Sequence, residues 1–415
     1  MRHRIADIFK AGVLAARLER HDGGTRFSYL PAYLQAGGPA VATSLPLGSE
    51  PVLSAAGAAP PYFSGLLPEG RRLNALRRSI KTSADDDLSL LIAAGANPVG
   101  DVQIVGHGEP LGPDDHAVPL DPRQPVDFDQ LLGDPDLIDP VALAGVQDKM
   151  SAGMISVPVT GTGHQFILKL NAPEFPHVVE NELVMFRYAA KLRIPLGRVR
   201  LIRDIAGRPG LLVERFDRLP EPGAPEGVRR LAVEDAAQVL KLYPADKYNV
   251  GYSEVCRALA SHCAAPLPAL RNLAIQGAFA WLTGNGDLHA KNVSMVQQPH
   301  GEWTIAPVYD IPSTVVYGDK TLALTLDGKR TGISRRHFLG WATQLGLTDR
   351  AAAQVLDLAL KATGPLIADL EAGTAFRGLT GSHAKSADDG GSPFSGPVTR
   401  AWVKELKHRR RLLEG

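Results

Sequence analysis

The chain has few cysteines and no excess of charge of one sign. Only Cys256 and Cys263 occur in 415 residues, and no further ligands complete a zinc-binding pattern around them, so we expect reduced thiols in the core. Lys and Arg total 45 against 44 Asp and Glu, so no strong overall field attracts nucleic acid. Any contact with DNA must therefore be local or made through a partner.

Long apolar runs are also missing. The first five residues are basic, but no continuous apolar stretch follows them, and no run of 18 apolar residues occurs anywhere. We therefore expect a cytoplasmic protein without a membrane partner. The composition, 44% hydrophobic and 21% charged, is that of a globular protein, and 415 residues exceed one ordinary core. Two or three packed units are expected.

The first predicted unit is residues 1–108. Two strand patterns flank Asp22-Gly23-Gly24, a sequence typical of a hairpin turn, and helical patterns follow at 71–80 and 88–94. Residues 108–125 are rich in Pro, Asp and Gly without apolar periodicity, which indicates a surface connection. We place the first boundary there.

The remaining units are predicted at 109–216 and 217–415. The former has a helical pattern at 178–191, and its strand patterns lie at 166–170, 198–202 and 210–216. The latter is mainly helical, with a strand-rich interruption at 292–326 and a basic helix at 398–413. Arg409, Arg410 and Arg411 in that last helix are either solvated or assist a complex with DNA.

The most informative segment is the loop that ends at Asn292. Asp287 and Asn292 are five residues apart, the spacing of a kinase catalytic loop, in which the Asp accepts the proton of the substrate hydroxyl and the Asn holds a metal ion. Asp310, 18 residues later, occupies the place of the second metal-binding acid. His289 and Lys291 complete the predicted catalytic set. This pattern predicts phosphoryl transfer with ATP and Mg²⁺; the alternative is a set of turn and capping residues.

Lys169 lies inside an apolar strand pattern. A cation in that position is costly unless it has an anionic partner, and a kinase uses such a lysine to contact ATP phosphates. The alternative is a lysine at a strand edge whose ammonium reaches solvent. Both interpretations stay open from this segment alone.

Two further segments are candidate nucleotide contacts. The first is the short loop that begins at Gly145, where glycine permits close approach of the backbone to phosphates. The second contains Glu214 and Phe216, which lie where the connection between kinase lobes would meet adenine. An ordinary turn and a surface charge cluster at 214–218 are the respective alternatives. The predicted cofactor-binding residues are Ala144, Gly145, Val146, Gln147, Lys149, Lys169, Glu214 and Phe216.

Five motifs, taken in chain order, resemble those of the HipA kinase family. They are Ala144–Lys149, Ile167–Lys169, Glu180–Glu182, Leu212–Arg218 and Asn285–Asn292. Residues 63–70 and 95–101 resemble the amino-terminal domain of the family, so the similarity covers about residues 10–375. The resemblance implies an α+β, two-lobed protein-kinase-like fold with a small β-rich amino-terminal subdomain and a mostly α-helical carboxy-terminal lobe.

The resemblance also implies roles. Asp287 is the expected catalytic base, Asn292 and Asp310 the metal ligands, Lys149 and Lys169 the phosphate contacts, and Glu214 with Phe216 the adenine-proximal pair. The expected substrate is a Ser or Thr of a translation component such as an aminoacyl-tRNA synthetase. The expected partner is a HipB-like helix-turn-helix antitoxin, with DNA contacted only through that complex.

One position departs from the family pattern. The family often carries an autophosphorylated serine where this chain has Ala142, so self-modification there should be absent or moved, for example to Ser151. Two alternatives to a protein kinase toxin remain at this stage. They are a small-molecule kinase on the same fold and a catalytically silent co-repressor of its own operon.

Overall fold

The computed structural model describes residues 4–83, 85–95, 97–112, 118–119, 126–132, 155–161, 164–224, 227–379 and 392–415. The strands are β1 Ile5–Lys10, β2 Val13–His21, β3 Gly24–Tyr29, β4 Val52–Ser54, β5 Val102–Gly106, β6 Val118–Pro119, β7 Ile155–Gly161, β8 His164–Leu170, β9 Val199–Arg203, β10 Pro209–Glu214, β11 Arg218–Pro220, β12 Val228–Arg230, β13 Val233–Asp235, β14 Ser294–Gln297 and β15 Trp303–Ile305. The helices are α1 Pro31–Gln35, α2 Pro61–Leu66, α3 Gly70–Ser79, α4 Asp87–Ala94, α5 Phe128–Leu132, α6 Val178–Ala189, α7 Ala236–Val239, α8 Tyr252–His262, α9 Pro266–Thr283, α10 Arg335–Gln344, α11 Asp349–Glu371 and α12 Gly396–Glu414.

The amino-terminal sheet has the strand order β4-β3-β2-β1-β5, and its pairs are antiparallel. Asp22 and Gly23 connect β2 to β3 with φ values of 45° and 77°, the left-handed conformations that a two-residue hairpin turn requires, which confirms the predicted hairpin. Alternate side chains of the strands, such as Ile8 and Phe27, pack with Phe63 of α2 and Leu91 of α4 in one core.

The second sheet has the order β6-β7-β8-β10-β9, and it carries two of the predicted nucleotide contacts, Lys169 on β8 and Glu214 on β10. Its pairs are antiparallel except β6 with β7, and Lys169 of β8 lies opposite Leu211 of β10. Helix α6 packs against β10, and the apolar side chains Val179, Leu211 and Val213 fill the contact. The predicted helix at 178–191 is confirmed, its last residues forming a 3₁₀ turn at Ala190–Leu192.

The carboxy-terminal lobe is mostly helical around α9, which packs against α8, α11 and α12. Helix α9 ends at Gly284, whose φ of 70° is a left-handed C-cap, and an added Cβ would lie 2.4 Å from Cγ2 of Val315. The expected strand-rich interruption is smaller than predicted, since β14 and β15 account for its strands and much of 306–334 is loop. Backbone groups of that loop contact the end of α9; for example, the N–H of Thr314 donates to the carbonyl oxygen of Gly284.

The prediction for the last helix is wrong at one residue. Arg409 is fully buried; its guanidinium donates to the carbonyl oxygens of Trp281 (3.0 Å) and Lys320 (2.6 Å) and lies over the Trp281 ring at 4.5 Å. Burial lowers the pKa of Arg409, while Glu405 opposes that shift. Arg409 therefore neither faces solvent nor is accessible to DNA, and it fastens α12 to the end of α9.

Other expectations from composition can be compared with the described residues. Cys256 and Cys263 are buried free thiols, as predicted, and burial raises the pKa of Cys263 to about 11. Among the described residues, no helix has both the length and the apolar character needed to span a membrane. The α+β class is confirmed by the sheets and helices above. The unit boundaries at 108 and 216 stay predictions.

Candidate active site

The loop from Gly284 to Asn292 is closed by two short hydrogen bonds. Asn285 Oδ1 accepts from the backbone N–H of Asp287 at 2.8 Å, and Asn292 Nδ2 donates to the carbonyl oxygen of Asp287 at 2.8 Å. The five-residue spacing thus gives the amide a direct contact with the backbone of the predicted base. Asp287 and Asn292 are both buried, so the loop is held in one conformation by the lobe around it.

The carboxylate of Asp287 meets a tyrosine that the sequence did not reveal. The hydroxyl of Tyr248 donates to Asp287 Oδ1 at 3.1 Å, and Nε2 of His289 lies 3.9 Å from the same oxygen. The Tyr248 and His289 rings meet edge to face, with centroids 5.0 Å apart. Nδ1 of His289 accepts from the backbone N–H of Lys291 at 3.2 Å, which makes His289 a cap of the 3₁₀ turn Ala290–Asn292.

Lys169 is enclosed by two acids. Its Nζ lies 2.9 Å from Oε1 of Glu182 on α6 and 3.0 Å from Oδ1 of Asp310. Burial alone would lower the pKa of Lys169, but the charges of Asp310 and Glu182 outweigh it and hold that pKa above its usual value. The ammonium is therefore charged and does not reach out to solvent. The solvent-reaching alternative for Lys169 is wrong, and Glu182, to which the sequence gave no role, is its partner.

Asp310 has an unusual backbone. Its φ is 56°, a left-handed conformation that is costly for a residue with a side chain and that turns the carboxylate toward Lys169. The hydroxyl of the preceding Tyr309 donates to the carbonyl oxygen of Lys291 at 3.0 Å and lies beside Ser294 Oγ. Tyr309 thereby links the Asp310 segment to the end of the Asp287 loop.

A second set of bonds joins the same two segments. Thr314 Oγ1 accepts from the backbone N–H of Gly286 at 2.9 Å, and the backbone N–H of Thr314 donates to the carbonyl oxygen of Gly284 at 2.8 Å. Asn181 of α6 donates to the Ser313 carbonyl at 2.8 Å. The structure thus brings the Asp287 loop, the segment after Asp310 and the helix that carries Glu182 into one bonded assembly.

The oxygens of Asn292 and Asp310 suit a magnesium ion. The Nδ2 of Asn292 is used in the bond to Asp287, so Oδ1 would be its metal-binding atom, and the side chain of Asp310 is 18% exposed. Mg²⁺ on a nucleotide takes one or two protein oxygens and completes its shell with phosphates and water. Within the described residues no group of three or more His, Cys, Asp or Glu side chains is placed to hold a metal ion.

The predicted adenine pair lies at the end of β10. The Glu214 carboxylate is 3.5 Å from Nδ1 of His164 and 3.6 Å from Arg198, near the surface. Phe216 is half-buried and stacks on Tyr309, with ring centroids 5.7 Å apart and planes at 28°. Phe216 therefore contacts the residue immediately before Asp310, whereas the Glu214 side chain points among basic side chains.

The charges around Phe216 are buried, so the surface-cluster alternative is wrong for them. Asp217 Oδ2 lies 2.7 Å from both Arg215 and Arg218 and accepts from the Gly100 N–H at 2.9 Å. Burial would raise the pKa of Asp217, but the two guanidinium groups hold it well below its usual value. Both arginines also donate to the Pro98 carbonyl, so this cluster anchors the 97–100 loop of the amino-terminal unit.

The candidate phosphate loop is not part of this geometry. Ala144, Gly145, Val146, Gln147 and Lys149 lie outside the described residues, as do Ala142 and Ser151. Their predicted roles stay predictions.

Comparisons with known proteins identify the family of the chain. The HipA-like C-terminal domain model matches residues 141–364, and the HipA N-terminal domain model matches residues 6–105. The putative kinases Y4mE and Y4dM of Sinorhizobium fredii are 30% and 31% identical to the chain over 350 and 319 residues, covering 78% and 70% of the chain and 80% and 72% of the relatives. The serine/threonine-protein kinase toxin HipA of Shewanella oneidensis is 29% identical over 295 residues, 64% of the chain and 66% of that protein.

A solved structure shows the same fold over almost the whole chain. It is the complex of HipA, HipB and operator DNA from Shewanella oneidensis MR-1, matched with a TM-score of 0.77 at 21% identity over 99% of this chain and 97% of that one. The likeness confirms the two-lobed, kinase-like architecture with a β-rich amino-terminal subdomain. Since the family model spans more than half of the chain and kinase relatives match most of it, the chain belongs to the HipA family of serine/threonine kinases.

Proposed function

We propose that the protein transfers the γ-phosphate of ATP to a serine or threonine hydroxyl of another protein, with Mg²⁺ as the metal. The observation that carries this proposal is the position of Lys169 between Glu182 and Asp310, in an assembly bonded to the loop of Asp287. A charged ammonium at this place binds phosphate oxygens, and a nearby carboxylate accepts a proton. The support from the described residues is that Lys169, Asp287, Asn292 and Asp310 belong to one hydrogen-bonded assembly.

The residues divide the chemistry between them. The oxygen of the substrate hydroxyl bonds to the γ-phosphorus while the bond from that phosphorus to the ADP oxygen breaks. Asp287 accepts the proton that the hydroxyl loses. Lys169, held by Glu182, contacts the phosphates. Asn292 and Asp310 would hold Mg²⁺, which neutralises phosphate charge when bound. Burial of Asp287 and of the loop keeps bulk water from competing for the phosphate.

The remaining predicted contacts complete the nucleotide site in this proposal. The backbone of Glu214–Phe216 would meet adenine, since this segment begins at the last residue of β10 and Phe216 stacks on Tyr309, next to Asp310. The loop 144–149 would cover the phosphates, with Lys149 adding charge. His289 and Lys291 support the loop rather than the transferred group, because His289 caps the turn and Lys291 donates to the Gly65 carbonyl.

We further propose that the protein acts as a toxin restrained by a HipB-like helix-turn-helix antitoxin. The support is membership of the HipA family together with a solved relative that is bound to HipB and operator DNA. DNA would be reached only through that complex, since Lys and Arg nearly equal Asp and Glu here and Arg409 is buried. The protein substrate would be a translation component such as an aminoacyl-tRNA synthetase, whose modification arrests growth.

The test is phosphate transfer from labelled ATP by Asp287→Asn. Loss of the base should lower transfer to protein by at least about 100-fold while the melting temperature stays close to that of the wild type. Asp357→Asn, at an exposed position of α11, is the matched control and should keep full activity.

Three outcomes contradict the proposal in different ways. Retained transfer in Asp287→Asn removes the assigned base. Labelling of metabolites but of no protein in a cell extract identifies a small-molecule kinase. A wild-type protein that turns over no ATP is a silent co-repressor.

A further inference from the structure

Glu69 belongs to the amino-terminal unit but reaches the candidate catalytic loop. It precedes α3, and its Oε1 lies 2.8 Å from Nζ of Lys291, one residue before Asn292. Its other carboxylate oxygen pairs with Nζ of Lys247. Lys291 also donates to the carbonyl oxygen of Gly65 at 3.0 Å, so two amino-terminal residues hold one side chain of the loop.

Lys247 extends the contact to a second segment of the chain that meets the Asp287 loop. Its carbonyl oxygen accepts from the backbone N–H of Ala290 at 3.2 Å, and the next residue, Tyr248, donates its hydroxyl to Asp287 Oδ1. The carboxylate of Glu69 therefore connects the Asp287 loop, through Lys291, with the segment of Lys247 and Tyr248, which also contacts that loop.

The charges make Glu69 difficult to replace. The side chains of Lys247 and Lys291 are only 9% and 13% exposed, and removing an ammonium from water is unfavourable without a paired anion. Burial would raise the pKa of Glu69, but Lys291 and Lys247 lower it to about 2, so the carboxylate is ionised at neutral pH. One carboxylate thus compensates two largely buried cations.

Backbone packing brings the two units close enough for this pairing. Gln238 of α7 donates to the Tyr62 carbonyl at 2.9 Å, and a Cβ on Gly65 would lie 2.8 Å from the Gln238 side chain. Gly65, near the end of α2, therefore permits the close approach of the chain just before Glu69 to the loop. Thr43 makes a separate contact between the units, since its N–H and its hydroxyl both donate to the Glu234 carboxylate.

We propose that Glu69 is a positioning residue for phosphoryl transfer, through which the amino-terminal unit holds the catalytic loop by way of Lys291 and Lys247. The inference rests on the proposed function above and extends it, because it makes the amino-terminal unit part of the active site. Glu69 itself touches neither nucleotide nor acceptor in this assignment. It acts by fixing where Asp287 and Asn292 stand.

The experiment compares Glu69→Gln with two variants of the full-length chain. Thr43→Val removes a hydroxyl bond to Glu234 at a different contact between the units, and Glu19→Gln removes the pair with Arg26 inside the first sheet. Each variant is assayed for kcat and for the KM of ATP. Hydrogen–deuterium exchange of peptide 285–293 is measured without nucleotide, so that loop order is read independently of activity.

For Glu69→Gln we expect kcat to fall roughly tenfold or more while the KM of ATP changes by less than about twofold, because misplacement of a base slows the chemical step. Exchange of peptide 285–293 should be faster by roughly tenfold, since local opening becomes easier. Thr43→Val and Glu19→Gln should match the wild type in all three measurements. Glu69→Asp, which keeps the charge, should recover part of the kcat.

Two results overturn the assignment. One is unchanged exchange and unchanged kcat in Glu69→Gln. The other is an equal loss in Thr43→Val, which would mean that any loosening between the units slows the enzyme. If the wild type transfers no phosphate, the proposed function fails, and the exchange data still decide whether Glu69 orders the loop.

Discussion

Two buried ion clusters of this protein have the same size and opposite composition. At Lys169 one cation faces two acids, Glu182 and Asp310, whereas at Asp217 one acid faces two cations, Arg215 and Arg218. The Asp217 cluster is completed by backbone groups of the 97–100 loop, including the N–H and the carbonyl of Gly100. The Lys169 cluster includes Asp310, whose side chain retains access to solvent.

The difference separates a structural cluster from a functional one. Around Asp217 each charged group has protein partners on several sides, so no ligand is needed and removal of one member leaves uncompensated charge. At Lys169 two carboxyl groups share one ammonium, and burial raises the pKa of Glu182, so a divalent cation beside Asp310 would supply a second positive charge. We infer that the first cluster holds the units together and that the second is arranged for metal and phosphate.

The largest effect is expected from Asp217→Ala. Two buried guanidinium groups would lose their shared carboxylate, so the free energy of unfolding should fall by about 3–5 kcal/mol, as measured by urea denaturation. Glu371→Gln, at an exposed pair with Lys407, is the control and should change it by less than about 1 kcal/mol. A loss at Asp217 no larger than in the control would show that the two clusters do not differ as argued.

The same variant should show a pH signature. The pKa of Asp217 is lowered below its unfolded value of 3.8, so its contribution is fully present above that pH and is lost as the pH falls further. The wild type should therefore lose stability more steeply than Asp217→Ala below about pH 4. Parallel curves for the two proteins would contradict the assigned direction.

Lys169→Met should lower the free energy of unfolding less than Asp217→Ala does, but it should remove nearly all phosphate transfer. The substitution keeps the length of the side chain and removes the ammonium, so transfer from labelled ATP should fall about 100-fold, equivalent to about 2.7 kcal/mol. Stability should fall less than in Asp217→Ala, because Asp310 can turn toward water and because burial, which raises the pKa of Glu182, favours the neutral form of that carboxyl once the ammonium is gone. Lys361→Met, at an exposed site of α11, is the control, and normal transfer by Lys169→Met would sink the functional assignment of the cluster.

The comparison also shows which parts of the site can be predicted from sequence. Asn292 binds the backbone of Asp287 only five residues away, so the spacing itself carries the geometry. Lys169 is recognisable because a charge interrupts an apolar strand. By contrast, Glu69 and Lys291 are 222 residues apart, and no local periodicity connects them. The motifs were therefore found, and their long-range partners were not.

Charged residues were the main source of error, because a charge in a sequence is assigned to the surface by default. Arg215, Asp217 and Arg218 are buried through mutual pairing, which requires contacts with a loop more than a hundred residues earlier. Arg409 did carry a local signal. It follows Trp402 and Leu406 on one face of α12 and precedes Leu413, the i, i+4, i+7, i+11 positions of a buried stripe.

The smallest effect is expected from Tyr248→Phe. This variant compares the neutral partner of Asp287, Tyr248, with the charged partner of Asp310, Lys169. One hydrogen bond to the carboxylate is lost while the ring against His289 remains, so kcat should fall roughly 3- to 10-fold with little change in the KM of ATP. Tyr243→Phe removes a tyrosine hydroxyl from a half-buried position five residues earlier in the chain, and it should leave kcat unchanged. A fall as large as that of Lys169→Met would mean that Tyr248 does more than orient the base. An unchanged kcat would mean that the backbone bonds of Asn285 and Asn292 are sufficient to hold Asp287 in place.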